Sequence, residues 1–387
     1  MKKLLIVNNN MHIGGVQKSL VNLLGEIHSR YDVTLLLFYP GGGLMKDIPA
    51  DVKVISPTSC VRFFGMTKND TGTARERVAR AALAALTRVI GRKKLLGLIL
   101  PFEKKLTGYD AVISYLHSGA RGAFYGGCNE FVLRCTDAKK KITFLHCDYG
   151  SINPSPAYNA DIYMGFDAIA ACSKGVRDAF VAAMPQAADK VAVVHNCHDF
   201  GKISHMADEA AVEMTHDRLN IVTVARFGRE KGILRAIRAI ASMGERASGV
   251  RYYVIGGGAE YSAARTLVAS SGLDGRVLLT GELDDPYGYM RAADVLLIPS
   301  FSEAAPMVID EAASLGTPVL TTRTSSADEM VTKRGLGWVC DNSEEGIAAG
   351  IERLIGNAQL IDEKKAALRK MKFDNSAAVG EFEGIIS

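Results

Sequence analysis

KLLIVNNNMHIGGVQKSLVNLLGEIHSRYDVTLLLF, residues 3–38, decides the fold. A β-branched apolar run, Lys3–Asn8, leads to Gly14 and Gly15, then to the amphipathic run VQKSLVNLLGEIHSR, then to a second apolar run, Asp32–Phe38. Strand, glycine-bearing turn, helix and strand in that order make a βαβ unit with the helix over a parallel pair. The alternation continues outward, with strands expected at Val52–Ile55, Ala111–Tyr115, Ile142–His146, Ala168–Cys172 and Val191–His195. After a polar, helix-like stretch, Asp199–Arg218, the pattern restarts. Strands are expected at Ile221–Ala225, Tyr252–Gly256, Val277–Thr280, Val295–Pro299 and Pro318–Thr321, separated by helices near Gly232–Met243, Tyr261–Ser271, Tyr287–Ala293 and Pro306–Ser314. The fold class is therefore α/β, with two Rossmann-like, doubly wound halves that part near residue 200. Ligands of such sheets bind beyond the carboxyl ends of the strands, so a cleft faced by the two halves is the expected site.

Composition agrees with two globular cores. Of 387 residues, 48% are apolar and 23% charged, which excludes a disordered chain. The net charge of +4 is too mild to imply nucleic acid. Seven cysteines form no C-x-x-C pair and suit reduced thiols in a cytoplasmic protein. The opening MKKLLIV imitates a signal peptide only until three asparagines cut it short, and it reads better as a strand. No apolar run reaches the roughly 18–20 residues of a membrane-crossing helix.

Four stretches of the second half fall at strand ends. In VARFGREKG, Arg226 and Lys231 flank a short loop before a helix, the pairing of fixed cations and helix start that a diphosphate needs; a solvated turn is the plain alternative. VIGGGAE places Gly256, Gly257 and Gly258 after a strand, for close approach to a ligand or simply for a tight turn. It is not a dinucleotide fingerprint, because G-x-G-x-x-G counted from Gly256 ends on Tyr261. GELDDP, with Leu283, is a loop able to meet a flat base edge, or an acid-rich turn before a helix. In SFSEAAPMVIDEAASLGTPVL, residues 300–320, Pro306 suits the first position of a helix. The backbone N–H groups of Met307 and Val308 would then be free for a ligand. Glu303 lies in the loop just before, and Glu311 on the second turn. Carboxylates accept paired hydrogen bonds from vicinal hydroxyls, so two of them beside a helix start suit a sugar nucleotide. A cap and a surface acid are the plain alternatives, the second weakened by the apolar surroundings of Glu311 in MVIDEAA.

These motifs together resemble the retaining glycosyltransferases of the GT-B fold, family 4 in particular. SFSEAAPMVIDEA is similar to their E-x7-E motif, VARFGREKG to their diphosphate loop, and GTPVL, VIGGGAE, GELDD, AACSKGVRDAF and VVHNCHD follow in the family's order. The likeness is strong over residues 219–322 and thinner before residue 200. It implies residues 1–200 as an acceptor-binding domain and 201–372 as a nucleotide-sugar-binding domain, with residues 373–387 a helix returning to the first. It assigns Arg226 and Lys231 to the donor diphosphate, Glu303 to the donor sugar and Glu311 to the ribose. Met307 and Val308 would approach ribose and phosphates, Gly257 would lie in the donor loop, and Leu283 would touch the base. GGVQKSL resembles the family's first glycine-rich loop, which implies Gly14 and Gly15 beside the reacting phosphate. His146, in ITFLHCDYG, matches a histidine beside the reacting centre; His117, in SYLHSG, ends another strand. Two departures stand out: Ala225 and Ala304 replace glycines usual in the family, and the methyl at 304 would narrow the sugar pocket.

The implied reaction uses a nucleoside-diphosphate sugar as co-substrate, UDP favoured over GDP, and no cofactor. Neither a D-x-D motif nor a trusted metal-ligand spacing among His195, His198, His205 and His216 is present, so no metal is expected. The acceptor would be a glycan or a lipid-linked glycan. From Arg75 to Lys105, nine Lys or Arg stand against two Glu, a local +7 from nine minus two, among leucines and alanines. This segment suits an anionic membrane surface at the inner face of the plasma membrane, or a helix packed on its own domain with a solvated cationic face. Two rival functions share these features: a nucleotide-sugar epimerase of the same fold, and a non-catalytic sugar-nucleotide-binding subunit of a membrane assembly.

Overall fold

The computed structural model describes residues 1–57, 59–149, 156–210, 212–215 and 217–387. The chain divides into two compact units: Met1–Cys197 with Asn375–Ser387, and His198–Asp374.

The first unit is built on seven strands: β1 (Lys3–Asn8), β2 (Asp32–Leu37), β3 (Lys53–Ile55), β4 (Leu106–Ser114), β5 (Thr136–Leu145), β6 (Ala168–Ala171) and β7 (Val191–Val193). They run parallel in the order 3-2-1-4-5-6-7. Leu4 to Val7 of β1 are fully buried, as a strand covered on both faces requires. Helix α1 (Gly15–Ile27) turns Leu20, Leu23, Leu24 and Ile27 onto one face, where they meet Leu4, Ile6 and Ile113. The helix Ser376–Ile386 adds Phe382 and Ile385 to the same core. The other face packs Leu5, Val7 and Phe38 against Phe131 and Leu96, the latter from helix α3 (Arg92–Ile99), which follows helix α2 (Ala74–Ile90).

The second unit carries β8 (Leu219–Val224), β9 (Val250–Ile255), β10 (Val277–Gly281), β11 (Val295–Ile298), β12 (Val319–Thr322) and β13 (Gly337–Cys340), parallel in the order 10-9-8-11-12-13. In both sheets the order reverses once, between β1 and β4 and between β8 and β11, the switch points at which open α/β sheets bind ligands.

Several expectations need correction. Among the described residues of Asp199–Arg218, only Phe200–Glu209 is helical. Farther on, the Asn220 side chain takes up the Thr215 carbonyl at 2.8 Å, tying that segment to the start of β8; His216 lies outside the described residues. β4 and β5 start earlier than their apolar runs, because the ladder extends outward through the pairs Leu106 with Thr136 and Tyr109 with Ala138. β13 and the helices Glu344–Ile355 and Ala358–Leu368 complete the second unit without having been expected.

Candidate functional site

Lys231 and Glu303 meet at the switch point of the second sheet. Lys231 follows β8, Glu303 follows β11, and Lys231 Nζ lies 2.7 Å from Glu303 Oε1. The Ser300 hydroxyl donates to the same oxygen at 2.6 Å. The Glu303 carboxylate is largely buried and therefore needs these donors. Its own carbonyl accepts from the Ser325 and Ser326 hydroxyls at 3.2 and 3.4 Å, which fixes the loop. Glu303 is thus not a helix cap; it is half of an ion pair. Arg226 does not join that pair. Its side chain is 76% exposed and turns to Glu230, 3.3 Å away.

The helix after Glu303 starts later than its proline suggests. It spans Val308–Ser314, and Pro306 lies in the preceding turn, where its carbonyl accepts from Ile309 N–H at 3.2 Å. The first α-type bond runs from Glu311 N–H to the Met307 carbonyl. The amides of Met307 and Val308 thus precede the helical ladder, and the buried Glu311 sits in the first turn, not the second.

The neighbouring loops lock onto the loop carrying Arg226. Phe227 N–H donates to the Gly257 carbonyl at 2.7 Å, and Glu260 N–H donates to the Phe227 carbonyl. Gly256 has φ +143°, and a Cβ there would fall 2.0 Å from the Ala225 carbonyl oxygen, so the glycine is required by backbone contact. At Gly257 an added Cβ would first meet the flexible Glu282 side chain. In GELDDP, Asp285 accepts from Tyr287 N–H at 2.9 Å and so opens the next helix, while Leu283 stands 39% exposed.

Arg235 belongs to this site although sequence reading passed over it. It is buried in the helix Ile233–Ser242, donates to the Pro299 and Ser300 carbonyls at 2.7 Å each, and stacks 3.9 Å from the Phe301 ring centroid. By helical periodicity position 235 lies off the face formed by Ile233, Ile237 and Ile240; the 299–301 loop lying over it, with the Asn342 carbonyl at 3.4 Å, makes it interior. Arg235→Met leaves both carbonyls without that donor beneath the Glu303 loop. The expected cost is about 2–4 kcal/mol in urea unfolding, and an unchanged midpoint would remove Arg235 from this role.

In the first unit, Gly14 caps α1 with an extended φ of −174°, and Gly15 is its first residue. Neither needs to be glycine for its own backbone, and a Cβ on Gly15 would meet nothing within 4 Å. His146 follows β5 and packs on Tyr115 and Phe144 at centroid distances of 4.7 and 5.5 Å. Burial, with the neighbouring His117 adding to it, holds its pKa down at about 3. Burial and the Arg92 guanidinium hold His117 at about 4. His146 Nε2 and His117 Nδ1 have no hydrogen-bond partner among the described residues. Both imidazoles are therefore neutral at pH 7, able to exchange hydrogen bonds with a hydroxyl without carrying charge. Among the described residues, no three His, Cys, Asp or Glu are grouped to hold a metal ion.

The loops converging on β8 and β11, with a carboxylate–ammonium pair ahead of a helix start, define a class. Residues 207–371 match the family model Glycosyl transferases group 1, and the chain has the GT-B fold. Among curated relatives, the lipopolysaccharide core biosynthesis glycosyltransferase LpsE of Rhizobium meliloti is 28% identical over 172 residues, covering 44% of this chain and 49% of LpsE. The putative colanic acid biosynthesis glycosyltransferase WcaL of Escherichia coli is 29% identical over 160 residues, 39% of each chain. The matched part thus spans about half of the first relative's length. Among solved structures, HepE of Anabaena in complex with UDP and glucose aligns over 99% of both chains, with a TM-score of 0.68 and 18% identity. WaaG, a glycosyltransferase involved in lipopolysaccharide biosynthesis, aligns over 99% of both at a TM-score of 0.64 and 15% identity.

Proposed function

We propose that this chain is a retaining, metal-independent hexosyltransferase. It moves a sugar from a nucleoside-diphosphate donor, UDP in preference to GDP, to a glycan or lipid-linked acceptor of cell-surface polysaccharide or glycolipid synthesis. It works at the cytoplasmic side of the membrane. The observation that carries this reading is the Lys231–Glu303 pair at the β8/β11 switch point, set before a helix whose first turn holds Glu311. The names of the relatives and the UDP and UDP-glucose held by HepE support it.

An ammonium has three donors, so Lys231 serves Glu303 and a phosphate oxygen together. Glu303 accepts from hydroxyls of the donor sugar, Glu311 from the ribose, and Leu283 offers its exposed side chain to the base. The Met307 and Val308 amides and the start of α1 at Gly14 and Gly15 face phosphate oxygens. In the reaction the bond from the sugar C1 to the β-phosphate oxygen breaks and a bond from the acceptor oxygen to C1 forms on the same face. The acceptor's proton passes to the departing phosphate. Negative charge grows on the diphosphate, and Lys231, Arg226 and the amides stabilise it. His146, neutral, orients a hydroxyl at the reacting centre.

Thermal unfolding with UDP-sugars, GDP-sugars and the free diphosphates tests the donor site. At about 100 times its dissociation constant a ligand adds roughly 2.7 kcal/mol, or about 5–10 °C for a unit of this size. A shift with UDP-sugars that disappears in Glu311→Ala is the expected result. No shift with any nucleotide would sink the transferase reading. Conversion of the donor sugar without any acceptor would indicate an epimerase instead.

A further inference from the structure

Helix α2 is amphipathic the wrong way round for a helix that merely covers its domain. Thr87 is its only buried residue. Its inner side holds Leu83 and Ile90, which pack on the core, and Arg80, which donates to the Met66 carbonyl at 2.9 Å and lies over the Phe124 ring. Glu76 closes the capping box with Thr73 and binds Arg62 at 2.7 Å. At about 3.6 residues per turn, Val78, Ala82, Ala85 and Val89 then share one outward line. Val78 is 69% and Val89 72% exposed, and both alanines are exposed. Arg75, Arg77 and Arg88, also exposed, flank that line. An ordinary surface helix shows solvent its charged face and keeps its apolar stripe inside. Here the apolar line is the outer one.

The pattern continues past α3. Leu98 is exposed and Phe102 is 86% exposed, with Lys94, Lys104 and Lys105 exposed around them. Three cations of the segment pair with carboxylates: Arg92 is buried against Glu130, Lys93 pairs with Asp161, and Lys105 lies 3.7 Å from Asp137. The charge left outside is therefore carried by the three arginines with Lys94 and Lys104.

We infer that α2 and the end of α3 form a docking surface for an anionic lipid bilayer. Apolar side chains at the centre enter the acyl boundary while long cationic side chains at the flanks reach phosphate headgroups. A second copy of the chain would set like charge against like charge, and a nucleic acid would gain nothing from the central valines. The surface stands on exposure and charge alone and needs neither the donor site nor the transferase reading.

Co-sedimentation with phosphatidylcholine vesicles, with and without phosphatidylglycerol, tests it. The wild type should pellet with phosphatidylglycerol vesicles at low salt and be released as salt rises. Arg75→Gln/Arg77→Gln/Arg88→Gln should weaken partitioning about fivefold per cation, roughly 10²-fold together. Val78→Ser/Val89→Ser should weaken it at least about tenfold. All these side chains face solvent, so circular dichroism and melting should stay as in the wild type. Lys231→Ala, which disables the proposed chemistry, should bind vesicles normally, so failure of the two readings is distinguishable. The inference is overturned if the wild type stays in solution with phosphatidylglycerol, or if the valine variant pellets like the wild type. It is also overturned if light scattering finds a dimer that the valine variant splits.

Discussion

Lys231→Ala is expected to slow sugar transfer about 10³-fold, in kcat more than in KM. The bond that breaks leaves charge on the diphosphate, so a fixed cation there does most in the transition state; one such preorganised donor is worth roughly 3–4 kcal/mol. The ammonium is held in place before any donor arrives by Glu303, 2.7 Å away, whose carboxylate is itself fixed by Ser300. In the variant the largely buried Glu303 loses its counterion and keeps the Ser300 hydroxyl, so some stability is lost with the rate and melting is followed alongside the kinetics. Lys231→Arg keeps the charge and alters the reach, and should recover part of the rate. Steady-state kinetics with the donor identified by thermal shift decide the matter. Turnover within tenfold of the wild type would mean that the pair is a strut of the loop and not part of the chemistry.

Acid is expected to cost the first unit about 4 kcal/mol between pH 7 and pH 5. The unfolded chain protonates its imidazoles near 6.5, whereas burial holds His117 to about 4 and His146 to about 3. Between those values the unfolded state binds more protons, so stability falls as pH falls, by roughly 1.4 kcal/mol per unit for each residue. Carboxylates with lowered values, such as Asp70 and Asp110, add their losses only nearer their ordinary range. Within the window from pH 7 to 5, other imidazoles of the unit also lie beside carboxylates, so the double variant is what isolates these two rings. Urea midpoints measured across it should drop for the wild type and flatten in His117→Asn/His146→Asn. A wild-type midpoint that does not move with pH would show these rings to be reachable by solvent.

What could be read from the sequence followed apolar content. β1, β2 and the helices facing the sheets are dense with Leu, Ile and Val, so their periodicity announced them. β13 was invisible because GWVC is four residues at a sheet edge, all only half-buried. The outer halves of β4 and β5 are polar, and their ladder is fixed by pairing with each other, which no single segment displays. At the candidate site the residue types were legible, since Lys231, Glu303 and Glu311 stand beside turn and helix signals. Their partnerships were not: that Lys231 meets Glu303, 72 residues away, depends on β8 and β11 being neighbours. Arg235 became interior through segments more than sixty residues away in the chain, the 299–301 loop and Asn342. In α2 the composition promised amphipathicity, but only the fold shows which side faces out.

The first unit takes its last helix, Ser376–Ile386, from beyond the second unit, and Phe382 and Ile385 of that helix fill the core shared with α1. During translation, then, the unit begun first is finished last. Its sheet and α1 are complete by Cys197, yet the groove meant for Phe382 stays open while some 180 further residues are made. His198–Asp374, one unbroken stretch, has all its own parts beforehand. For that interval the growing chain carries an uncovered apolar surface beside a finished neighbour, and the closing helix acts as the seal that commits the first unit to its native state.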